Sequence, residues 1–150
     1  MITLREMLDE DVDAVCEIEK ETFSMPWKKQ DFLKMIEDDN MAYMVILEDG
    51  EIIGGAGIRE ILGDVEITNV AIKEGLRGKG YGRLLLRAVI EKGREIGGSE
   101  FTLEVRKSNT AAIRLYTSEG FVTEGVRKNF YEKPTEDGLI MWKRREKADA

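Results

Sequence analysis

The chain has 150 residues, 42% of them hydrophobic and 35% charged, with a net charge of −7, one cysteine and no histidine. That length and balance predict one globular domain with a self-sufficient core, and an acidic protein unsuited to non-specific nucleic-acid binding. Cys16 has no internal partner for a disulfide, and the lack of histidine excludes a Ser-His-Asp triad, a Cys-His pair and any His-based zinc site, so acid–base work falls to Asp, Glu, Tyr, Lys, the cysteine or bound water.

The opening MITLREMLDEDVD is charged almost at once, and no apolar run approaches the roughly 18 residues of a membrane span. These features predict a cytoplasmic protein with no membrane contact. Charge is uneven: residues 1–75 hold 19 acidic and 7 basic side chains, residues 76–150 hold 11 and 16. A basic second half suits a polyanionic ligand, and an acidic first half suits a cationic partner.

In chain order, Asp9 or Asp11 caps a first helix to about Phe23, with Val12, Val15, Ile18 and Thr22 at helical spacing. Cys16 lies in it and reads as core packing. SMPW at 24–27 is a break, because Pro26 disfavours helix at Met25. A second helix runs from Pro26 or Trp27 to about Asp38, with Phe32, Leu33 and Ile36 inward. Residues 42–72 read as a three-stranded antiparallel meander turning at Asp49-Gly50 and around Leu62-Gly63-Asp64. A Gly-rich turn follows, then a helix from about Gly80 to Ile96 that carries Leu84, Leu85, Val89 and Ile96 and stops at Gly97-Gly98. FTLEV at 101–105 is a strand. SNTAAIRLYTSEG is a helix capped by Ser108 or Asn109 and closed by Gly120. FVTEGVRKNFY and GLIMWKRR are two further strands, and the tail EKADA (about 145–150) frays. The order ααβββαβαββ is that of an α/β protein with a mixed sheet, and residues 65–105 form a parallel strand–helix–strand unit.

The glycine stretch VAIKEGLRGKGYGRLLL at 70–86 is the strongest chemical signal. It fails as a nucleotide loop: Tyr81 and Gly82 stand where G-x-x-x-x-G-K-[ST] needs Lys and Ser/Thr. It fails as G-x-G-x-x-G too, since Leu85 or Arg83 occupies the third glycine position. It does fit [RQ]-x-x-G-x-[GA] over Arg77-Gly78-Lys79-Gly80-Tyr81-Gly82. Glycines bare backbone N–H groups, the following helix adds a partial positive charge, and Arg77, Lys79 and Arg83 add full charges. Such a turn holds a pyrophosphate without metal.

With this turn, FSMPW at 23–27, LEVRKSNTAAIRLYTSEGF at 103–121 and KNFY at 128–131, nearly the whole chain resembles the GNAT-fold N-acetyltransferases. Within that family it is similar to the RimI group, which acetylates the N-terminal alanine of a small-subunit ribosomal protein. The resemblance implies the acyl-CoA N-acyltransferase fold, with room for a short extra N-terminal strand. It also implies direct transfer of acetyl from acetyl-CoA to an amine, with no metal. The backbone of Val70, Ala71 and Ile72 would pair with the pantetheine arm and polarise the thioester carbonyl. Gly78, Lys79, Gly80, Tyr81, Gly82 and Arg83 would hold the pyrophosphate, and Asn109 the pantetheine or a nearby phosphate. Glu104 would be the general base and Tyr116 the general acid; from the residues alone Glu66 is as good a base as Glu104. Tyr131, Trp27 and Met25 would line the acceptor groove. The implied partner is a protein or peptide N-terminus, of a ribosomal protein, with no nucleic acid and no set oligomeric state. The other acceptors open at this point are a lysine, a polyamine or another small amine, and a third reading is a non-catalytic acyl-CoA sensor.

Overall fold

In the computed structural model, which describes residues 1–145, one seven-stranded mixed sheet carries helices on both faces. The elements are β1 (Ile2–Glu6), a 3₁₀ turn (Asp9–Asp11), α1 (Val12–Thr22), α2 (Lys29–Glu37), β2 (Met41–Glu48), β3 (Glu51–Ile61), β4 (Asp64–Ile72), α3 (Tyr81–Glu95), β5 (Glu100–Arg106), α4 (Thr110–Ser118), β6 (Val122–Tyr131) and β7 (Glu136–Lys143). The sheet order is β1-β2-β3-β4-β5-β7-β6. Among the described strands only β4 and β5 are parallel, joined by α3 as the strand–helix–strand pattern requires. The short extra strand is β1, an edge strand pairing with β2. The expected fraying of residues 146–150 lies outside the described residues. Among the described residues no helix is long and apolar enough to cross a membrane.

Strand β2 shows how the sequence splits the core. Its residues alternate between faces, as a strand must. Ala42 and Ile46 join one cluster with α3 residues Leu85, Leu86, Val89 and Ile90 and with Phe101, Leu103 and Val105 of β5. Tyr43, Val45 and Leu47 join the opposite cluster with Val12 and Val15 of α1 and Phe32 and Met35 of α2. The hairpin turn holds Asp49 and Gly50 at φ 49° and 86°, the paired left-handed conformation that an Asp-Gly dipeptide favours.

Two expectations about the second helix need correction. The second helix starts at Lys29, not at Pro26 or Trp27; the Asp31 carboxylate accepts the Lys28 N–H at 2.9 Å and fixes the start there. Its inward residues are Phe32 and Met35, one helical turn apart, while Ile36 is 38% exposed. In α3 the apolar run Leu84-Leu85-Leu86 is registered so that Leu85 and Leu86 are buried and Leu84 is 40% exposed. An unbroken leucine run carries no phase, and the packing partners decide it.

Candidate active site

Parallel pairing of β4 with β5 covers only Asp64 to Glu66 against Glu100 to Thr102. Beyond it β4 carries a bulge. Ile67 pairs with Ile58 and Asn69 with Gly57, leaving Thr68 as the extra residue. A bulge bends its strand and ends regular pairing, and here the two strands part. The gap opens into a cavity of about 1520 Å³. Its walls are β4 past the bulge, β5 from Leu103, the turn before α3, one face of α4, the α1–α2 loop and the β6–β7 loop.

At one end lies the glycine turn. Gly75, Gly78 and Gly80 sit at φ 89°, 78° and 88°, where an L side chain is strained, and open space lies where their Cβ atoms would be. Gly80 is the N-cap of the 15-residue helix α3. The turn therefore aims bare N–H groups and a positive helix end at the cavity. Arg77 lines it with a fixed guanidinium: Nε donates to the Ile72 carbonyl at 2.9 Å and Nη2 to Thr22 Oγ1 at 3.3 Å. These features fit a pyrophosphate. Gly78, Gly80, Gly82 and Arg83 line the cavity with Val70 and Ile72. Lys79, Tyr81 and the buried Ala71 are not on its wall. The Tyr81 hydroxyl donates to Glu48 on β2 instead, so any contact it makes with a ligand is through its backbone.

Asn109 lines the cavity as the N-cap of α4, its Oδ1 accepting the Ala112 N–H at 3.1 Å. That bond uses the oxygen and leaves the amide nitrogen as the group it can offer a ligand.

In the middle of the cavity the sheet itself is open. Leu103 and Val105 belong to the α3-side cluster, so Glu104 looks to the opposite face. Tyr116, on α4, is 8% exposed within the α3-side cluster. Both line the cavity, one from each side of the gap. Glu104 Oε1 takes an ion pair with Arg127 Nε at 3.2 Å, while Oε2 is buried with no hydrogen-bond partner among the described residues. Burial pushes the Glu104 carboxyl above its ordinary value, the Arg127 charge pulls it back in part, and the Glu66 charge adds to the rise. Burial, and then the nearby Tyr131, push the Tyr116 phenol well up. Tyr131 is half-buried and raised to about 12, first by burial and then by Glu104. Glu104, Tyr131 and Tyr116 thus form one electrostatically linked group. Glu66, which sequence alone could not separate from Glu104, pairs with Arg59 at 3.4 Å and is absent from the cavity wall.

Met25, Trp27 and Tyr131 are brought together at the far end. Trp27 leans on Phe32 with ring centroids 5.7 Å apart, whereas Met25 is 60% exposed. The organiser of this end is Arg106, which sequence reasoning did not single out. Its guanidinium lies 4.6 Å from the Tyr131 ring centre and donates to the carbonyls of Glu132 and Pro134, each at 2.9 Å, and to Ser24 Oγ at 3.4 Å. It ties the β6–β7 loop to the α1–α2 loop. Glu19 was also missed. It lies on the cavity wall, 1% exposed, and accepts the Tyr43 hydroxyl at 2.8 Å. The signal was present: with Val12, Val15 and Thr22 it shares the apolar stripe of α1, and a carboxylate in such a stripe has a partner or a task. Cys16 is partly buried with its thiol pushed up by burial, as packing rather than nucleophilic duty requires. Among the described residues no group of three or more Cys, Asp or Glu is placed to hold a metal ion.

Comparison with known proteins gives the family. The model of the acetyltransferase (GNAT) family matches residues 12–121. A Bacillus subtilis protein, provisionally named a [ribosomal protein bS18]-alanine N-acetyltransferase, is 41% identical over 140 residues, 93% of each chain. A Haemophilus influenzae [ribosomal protein bS18]-alanine N-acetyltransferase is 34% identical over 134 residues, 87% of this chain and 90% of that one. The crystal structure of the ribosomal-protein-S18-alanine N-acetyltransferase from Escherichia coli superimposes with a TM-score of 0.87 at 27% identity, covering 100% and 99% of the two chains. The chain belongs to the acetyltransferase (GNAT) family and is an acetyl-CoA-dependent N-acetyltransferase.

Proposed function

We propose that this enzyme acts in the cytoplasm on the α-amine of a protein N-terminus, the alanine that begins ribosomal protein bS18, with Glu104 as general base and Tyr116 as general acid. The observation that carries the reading is the orphaned Oε2 of Glu104, a buried acceptor on the wall of an open cleft. The names of the relatives support the choice of acceptor.

The chemistry follows from three tasks. Acetyl-CoA, when bound, supplies a thioester whose acyl carbon an amine attacks directly. The arm carrying it fits the gap between β4 and β5, where residues 70–72 offer strand backbone, and a backbone N–H of that segment polarises the carbonyl. The glycine turn and Arg77 hold the pyrophosphate. An α-ammonium, with a pKa of roughly 7.7–8.0, must lose its proton before it attacks. Glu104 Oε2 accepts that proton, directly or through one water. The upward shift of its carboxyl improves the match between base and acid. A lysine ammonium, at roughly 10.4, asks far more of the same base. A phenol, with an ordinary pKa of about 10, keeps its proton at neutral pH, and burial of Tyr116 reinforces this, so it can donate to the departing thiolate. Met25, Trp27 and Tyr131 line the groove that receives the peptide.

Glu104→Gln tests the assignment, because it keeps the shape and removes the base. Turnover of an Ala-initiated peptide falls by roughly 10²–10⁴-fold, while acetyl-CoA affinity by calorimetry stays at the wild-type value. Unchanged turnover rejects Glu104 as base.

A further inference from the structure

The face of α4 toward the cavity presents Ala111, Arg114, Leu115 and Ser118, at i, i+3, i+4 and i+7. Arg83, in the first turn of α3, stands across from it. Arg83 Nη1 donates to Ser118 Oγ at 2.9 Å and to Glu119 Oε2 at 2.6 Å. Arg87 holds the same carboxylate through Nε at 2.7 Å and Nη2 at 3.2 Å. Glu119 is 10% exposed and keeps its charge, held down by Arg87 and Arg83. Nη1 carries two protons and both are used, so the plane of the Arg83 guanidinium is set. Its Nε and Nη2 make no bond within the described residues. That edge presents the parallel N–H pair that matches two oxygens of a phosphate. Arg114, one turn before Ser118 on the same face, is exposed and has no ion pair or hydrogen bond within the described residues. Two arginines, Arg83 and Arg87, thus meet one carboxylate here, Arg114 adds a further positive charge, and of these groups Arg83 and Arg114 line the cavity.

The pyrophosphate does not need these groups. The turn supplies backbone N–H groups and Arg77, whereas Arg83 is tethered to the last turn of α4. The donor has a third phosphate, the monoester on the ribose 3′ oxygen. We propose that Arg83 and Arg114 form a second anion subsite that takes this 3′-phosphate, making the enzyme distinguish coenzyme A from 3′-dephospho-coenzyme A. Glu119 and Ser118 act as positioning residues for Arg83. The proposal rests on the reading that places the donor's pyrophosphate on the glycine turn.

Calorimetric titration with the two coenzymes tests it. The wild type binds coenzyme A tighter than the dephospho form by about tenfold or more, the scale of a charge-assisted phosphate contact. Arg114→Gln and Arg83→Gln each lower coenzyme A affinity, leave dephospho-coenzyme A affinity unchanged and so shrink the preference. Arg114 is exposed, so its variant folds even if loss of the Arg83 tether loosens α4. Equal binding of both coenzymes by the wild type overturns the subsite. So does an equal weakening of both by Arg114→Gln. Arg77→Gln reports on the underlying reading: it weakens both coenzymes alike, and unchanged affinities would place the pyrophosphate elsewhere and remove the proposal's footing.

Discussion

Glu104 sits between opposed influences, and its pH behaviour follows from them. Burial and Glu66 raise its pKa, and Arg127 lowers it. In the proposed role as base, Glu104 serves only above its pKa, so a raised value moves the onset of activity toward higher pH. Arg127→Ala removes the one lowering charge and pushes the value up further; Glu66→Gln removes a raising charge and brings it down. A ¹³C titration of the Glu104 side-chain carboxyl reads both shifts, with the acid limb of kcat moving in the same directions. A downward shift in the Arg127→Ala variant would mean that the ion pair is not what holds this group. Glu104 itself was legible in the sequence through the motif around it. Its partner was not, because Arg127 lies on the edge strand β6, whose register against β7 shifts twice, at Thr123–Gly125 and Arg127–Tyr131, in ways that side-chain alternation alone does not locate.

At the scale of elements, the Thr68 bulge makes the site possible. Deleting Thr68 restores a regular ladder between β3 and β4 and straightens β4 toward β5. The expected outcome is a folded protein, by circular dichroism, with coenzyme A binding lost; retained binding would show that the gap does not depend on the bulge. The slip could have been read from VEITNVAI. Its branched apolar residues fall at 65 and 67, then at 70 and 72, so the alternation changes parity across Thr68 and Asn69. The helix–sheet contact below is tight. A Cβ on Gly93 of α3 would lie 2.5 Å from Phe101 Cε2 and 3.3 Å from Val65 Cγ1. Gly93→Ala therefore destabilises by about 1–3 kcal/mol, the usual penalty of overpacking, seen as a lower urea midpoint. A neutral or stabilising result would show that α3 can move off the sheet. A lone glycine inside an amphipathic helix carries no mark of what it faces, so this approach was invisible before the fold was known.

For the whole molecule, element order and the strand–helix–strand unit followed from turn chemistry and periodicity, because both act over a few residues. What did not follow was how distant segments meet: Arg106 tying two loops, or Glu19 buried at the cavity wall. The charge asymmetry did find its place, with Arg77, Arg83 and Arg114 from the basic half lining the cavity. Glu104 and Tyr116 reach the same space from opposite faces of the sheet, so the gap between β4 and β5 is where a donor from one side and an amine from the other can meet. The proposed acceptor for that amine position is an N-terminal α-amine. The direct measurement incubates the purified enzyme and acetyl-CoA with a peptide of the bS18 N-terminus, beginning with Ala and containing an internal lysine, beside the same peptide blocked at its N-terminus. Mass spectrometry with fragmentation then locates the product. The expected product carries one added acetyl group on the alanine nitrogen, with none on the blocked peptide; acetylation of the lysine in both, or of neither peptide, would overturn the assignment of the acceptor.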